Sequence, residues 1–109
     1  MARAETLVYD GIGGFNLRPN ETGAYFWDVP EYPGNALCTW TVTAVPAGKL
    51  DGSADPEQRV EVINFFLLRK GPDSAGTGPN MLQLNWNVRN IGKNPATGRI
   101  IISAVVAMP

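Results

Sequence analysis

Twelve glycines and nine prolines divide this chain into short apolar segments, and that punctuation constrains the fold more than any other feature. Between the breaks, apolar residues recur at every second position, the period of a strand with one buried face. The clearest case is Met81 to Asn90, where Leu82, Leu84, Trp86 and Val88 alternate with Gln83, Asn85, Asn87 and Arg89. Cys38 to Ala44 repeats the pattern, with Cys38, Trp40, Val42 and Ala44 on one side and Thr39, Thr41 and Thr43 on the other. Glu5 to Tyr9 and Ala24 to Val29 read as shorter strands, separated by a glycine-rich bend at Gly11 to Gly14 and a turn near Pro19 and Asn20.

Arg59 to Leu68 carries conflicting signals. Asp55, Pro56 and Glu57 resemble a helix start, and Arg69 to Pro72 a helix stop. The content of the segment is β-branched and aromatic, and its apolar positions would wrap too far round a helix to leave a solvated face, so it is expected to be a strand. Asn94 to Gly98 reads as the turn of a bulged hairpin that returns Arg99 to Ala107 against Met81 to Asn90. Arg99 to Ala107 is apolar on both faces, which predicts a central position. Val45 to Glu57 and Gly71 to Asn80 are left as long connections. Five to seven such strands predict one all-β domain over residues 1–109, a small antiparallel two-sheet β-sandwich of immunoglobulin-like or jelly-roll-like type. The run from Leu84 to Gly92 resembles the strand-to-turn signature of immunoglobulin-like bacterial surface modules, which supports a sandwich and carries over no site or activity.

With 109 residues, 44% of them hydrophobic and 17% charged, the chain can bury one core and lies outside the disordered class. Its net charge of −1 comes from scattered single charges, so no basic patch is expected to hold nucleic acid. The longest apolar run, Ile63 to Leu68, is broken by Asn64 and is too short to span a bilayer. No intact signal peptide is expected. Ala2, Arg3 and Ala4 have the small-residue spacing of a cleavage remnant, which would imply secretion. Cys38, the single cysteine, excludes a disulfide within the chain and reads as a small buried hydrophobe.

The chain has no histidine, which removes the usual general base, the imidazole metal ligand and the partner of a nucleophilic triad. Asp51 and Asp55 lack the alternating oxygen ligands of a calcium loop and read as a solvated turn. Asp28 and Glu31 form the most suggestive carboxylate pair for glycosidase chemistry, but sequence does not give their separation. Gly11 to Gly14 does not open a helix that could hold phosphate, and reads as a bend. Asn20, Glu21 and Thr22 match a glycosylation sequon. The expectation is no catalytic constellation, no metal and no cofactor.

Two surfaces suggest binding. Tyr25 to Tyr32 places four aromatic rings and two acids in eight residues, with Tyr25 and Trp27 on one face of the strand and Phe26 on the other. The polar face of Gln83, Asn85, Asn87 and Arg89 offers amides that match sugar hydroxyls, flanked by Thr39, Thr41 and Thr43 if those strands share a sheet. The candidate ligand-binding residues are Tyr25, Trp27, Asp28, Tyr32, Asn85, Asn87 and Arg89. They point to a non-enzymatic recognition domain with glycan or protein as partner, carbohydrate being the first ligand class to test. The alternative is a structural subunit of a surface fibre, capsid or tail that acts through homo-oligomerisation.

Overall fold

The computed structural model describes residues 3–10, 12–29, 38–47, 57–70 and 81–108. These residues form seven strands: β1 (Arg3–Tyr9), β2 (Gly14–Leu17), β3 (Thr22–Asp28), β4 (Cys38–Pro46), β5 (Val60–Lys70), β6 (Met81–Asn90) and β7 (Ala96–Met108). The fold is all-β, with two sheets in which every pairing is antiparallel. In the first sheet β7 is central: β4 lines one edge, and β1 and β2 lie end to end along the other. In the second sheet β6 is central between β3 and β5.

The alternation seen in the sequence decides what each sheet buries. β7 turns Ala96, Ile100, Ile102, Ala104 and Val106 inward, and β6 turns Leu82, Leu84, Trp86 and Val88 to meet them in one shared core. Each fully buried branched side chain contributes roughly 1.5–3 kcal/mol. As its two apolar faces imply, β7 is central. Arg59 to Leu68 falls in a strand, β5, so its tertiary setting overrides the local helix signals at its ends.

The expected hairpin between β6 and β7 does not form. The two strands belong to different sheets, and residues 91–95 carry the chain across the core as an arch. Asn90, fully buried at the end of β6, makes the difference. Its Nδ2 donates to the carbonyls of Leu17 (3.2 Å) and Asn94 (2.8 Å), and its Oδ1 accepts from the N–H of Gly92 at 2.9 Å. That last bond closes an Asx-type turn and redirects the chain before Pro95 is reached. Ala96, Thr97 and Gly98, expected in a turn, are instead the first residues of β7. Gly98 lies opposite Phe15 on one side and Pro46 on the other; a Cβ there would strike the Val45 carbonyl and sit 2.6 Å from the Phe15 ring. Its role is close approach rather than a turn.

Two asparagines take positive φ. Asn20 (φ 66°) follows Pro19 in a turn closed by the Glu21 N–H donating to the Arg18 carbonyl, and Asn20 and Glu21 are tied to the backbone of Asn90. Asn64 (φ 55°) marks a bulge in β5 where the register shifts between Ile63 and Phe66.

Candidate functional site

The register of the second sheet gathers most of the sequence candidates on its outer face. Across the sheet, Asp28 lies beside Gln83 and Leu68, Phe26 beside Asn85 and Phe66, Ala24 beside Asn87 and Ile63, and Thr22 beside Arg89 and Glu61. Residues directly opposite one another share a face, so Asp28, Asn85, Asn87 and Arg89 all belong to this surface. Tyr25 and Trp27 turn the other way, opposite Trp86 and Leu84, and pack partly buried against the core. Tyr32 lies outside the described residues, as do Glu31, Asp51 and Asp55. Thr39, Thr41 and Thr43 do not flank the amides, because β4 belongs to the first sheet.

On this face the amides are ordered. Gln83, buried although it points outward, donates from Nε2 to Asp28 Oδ1 at 2.8 Å, and its Oε1 accepts from Asn85 Nδ2 at 3.2 Å. The relay fixes both amides, and among the described residues nothing donates to Asn85 Oδ1, which can accept from a ligand. On either side of Asn85 stand two exposed rings, Phe26 at 64% and Phe66 at 55% of full exposure. Their strands lie two spacings apart, roughly 10 Å. Phe26 was left out of the sequence-derived set, although its alternation with Tyr25 and Trp27 already separated it from them.

No family model, curated protein or solved structure matches this chain.

The inward rings form a second aromatic group. Trp27 lies 4.9 Å from Tyr9 and 6.2 Å from Trp40, and Tyr25 stacks on Trp86 at 6.2 Å with 18° between the planes. Burial, with the negative charge of Glu21, raises the Tyr25 phenol above its usual pKa. Burial likewise raises the Cys38 thiol, which makes it a poorer nucleophile. Among the described residues no three His, Cys, Asp or Glu side chains come together as a metal site. An open cleft of about 330 Å³ lies beside the arch, lined by Glu57, Arg59, Ile91, Gly92, Lys93 and Asn94. Glu57 and Arg59 pair with each other there, which balances most of its charge.

Along β5 the exposure extends beyond the outer face. Phe65, Phe66, Leu67 and Leu68 are 39–55% exposed, four large apolar residues in succession on an edge strand. They belong to the longest apolar run of the sequence, but their exposure is not written there, because a run apolar on both faces looks the same whether it is covered or bare.

Proposed function

We propose that this chain is a non-enzymatic structural subunit that assembles with copies of itself through its second sheet, on a sandwich of jelly-roll type. The topology supports that type: β2 pairs with β7 and β3 with β6, and β4 and β5 then fold back onto those same central strands, as in a long hairpin rolled into two sheets. Fold alone does not assign the role. The observation that carries it is the run of four exposed apolar residues, Phe65 to Leu68, on the edge strand β5, with the exposed ring of Phe26 on the outer face of the same sheet, together on the order of 400 Å² of side chain by the usual size of such residues. Water-exposed apolar area of that extent favours association. Sedimentation velocity from micromolar to millimolar protein is expected to show the mass rising to a defined multiple of the chain. A single-chain mass throughout that range would remove the reading.

A glycan-binding module is the second reading, and one observation favours it: two exposed rings flank an amide whose acceptor is held in place by a relay from Asp28. Sugar rings present C–H faces to aromatic planes and hydroxyls to amide acceptors. A glycan array followed by NMR titration would show shifts in the Asn85 side-chain amide, abolished in Phe26→Ala, if this reading holds.

A further inference from the structure

β5 pairs with β6 along one edge, and among the described residues no strand covers the other. After the bulge at Asn64 its side chains alternate cleanly. Phe66 and Leu68 share the outer face with Asn85 and Gln83, while Leu67 and Arg69 lie on the inner side, opposite Leu84 and Leu82. Leu67 is nevertheless 48% exposed, so the inner side of this segment is as open as the outer. An uncovered apolar edge is a template for another strand, and native proteins usually blunt it with charge, proline or irregularity. Between Phe66 and Leu68 none of these devices is present; the bulge precedes them and Arg69 and Lys70 follow.

We propose that Phe65–Arg69 pairs antiparallel with the same segment of a second copy, about a two-fold axis through Leu67, joining the two second sheets into one continuous six-stranded sheet. This rests on the assembly reading above and names its contact. The choice of a second copy follows from self-complementarity. In this register Leu67 meets its own counterpart, Phe66 lies beside the partner's Leu68 on the outer face, and Phe65 lies beside the partner's Arg69 on the inner face. Arg69, which makes no ion pair among the described residues, would lie against a phenyl ring, and the symmetry makes that contact twice. Phe65 to Leu68 expose on the order of 300 Å² of side chain between them, below the interface of a tight complex, so the dimer is expected to be weak and to fill at high protein concentration. The bulge at Asn64 and Phe65 ends the pairing, and an isologous contact occupies the β5 edge of both copies, so this contact closes at a dimer and does not propagate.

Cysteine pairing tests the register in a Cys38→Ser background, since directly opposed residues on antiparallel strands lie within disulfide reach. Leu67→Cys is expected to cross-link to itself on mild oxidation. Phe66→Cys and Leu68→Cys are each expected to resist self-cross-linking and to join one another when mixed. Leu67→Lys, with an unchanged near-UV circular dichroism spectrum, is expected to weaken the dimer by about tenfold or more through like charges on the axis. A wild-type oligomer in which Leu67→Cys does not self-cross-link, or in which Leu67→Lys associates normally, would overturn the β5 pairing and leave assembly standing. A wild-type protein monomeric at every concentration would overturn both.

Discussion

The outer faces of the two sheets meet the same solvent with different side chains. The first sheet presents Thr39, Thr41 and Thr43 on β4 and Ser103 on β7, and its large exposed apolar residues, Val8, Val45 and Val105, stand among them. The second presents Phe26 and Phe66 on either side of its amide row, with Leu68 beside Gln83, and continues into the bare edge of β5. β-Branched hydroxyl residues suit an extended backbone and remain hydrated, so the first face is at home in water. Val8 is as exposed as Phe26, at 64%. The contrast teaches that the size of the exposed side chains and their place on an edge strand, rather than the exposure of any one residue, separate the two faces.

Cutting the join between the sheets should disturb the comparison most. Asn90→Ala removes three side-chain hydrogen bonds at a fully buried position and is expected to cost about 3 kcal/mol in urea unfolding. A loss below about 1 kcal/mol would mean that the backbone alone holds the arch. Next comes a direct contest between the faces. Phe26→Ser with Phe66→Ser should leave stability within about 1 kcal/mol while abolishing the rise of mass with concentration. Val8→Ser with Val105→Ser should leave that rise intact; equal effects from the two pairs would erase the distinction.

A smaller effect should follow pH. The Tyr25 phenol, raised above 10.0 first by burial and then by Glu21, keeps its proton to higher pH in the folded chain than in the unfolded one. Its contribution to stability is therefore present below pH 10.0 and is lost as pH rises through the folded value. Denaturation curves between pH 9 and 11 should show a steeper loss for the wild type than for Tyr25→Phe, and parallel slopes would contradict the assignment. Smallest of all, Thr41→Val on the solvated face is expected to change stability by about 0.5 kcal/mol or less, measured by thermal unfolding.

How much of this was legible in the sequence depends on the range of the interaction. Alternation along β6 and β4 gave their faces, and the two apolar faces of β7 gave its central place, because period-2 burial is written locally. The pairing of β6 with β7 was misread for the opposite reason. Asn94 to Gly98 has the composition of a hairpin turn, whereas the residue that diverts the chain, Asn90, acts through Leu17, 73 positions away. β2 escaped notice because four residues with only Phe15 and Leu17 buried give too short a pattern. At the candidate site, Asp28, Asn85, Asn87 and Arg89 came together because a single register aligns β3 and β6. The exposure of Phe65–Leu68 could not be read, since only the packing of the sheets decides which side of an apolar strand is covered.

The central place of β7 also bears on how the chain comes to fold. Among the described residues β1, β2 and β4 form sheet pairings with β7 and with no other strand, and β7 is the last of the seven to be synthesised. Until it leaves the ribosome, Trp40, Phe15 and Leu17 have no sheet to enter, so the first layer has no early intermediate of its own. The second layer can close once β6 arrives, and it would stand alone with its inner face unsheltered until β7 is delivered. Most contacts join positions distant in the sequence, so folding should be slow for a chain of this length. Chaperones that hold apolar strands would therefore meet β1, β2 and β4 throughout synthesis, until β7 is delivered.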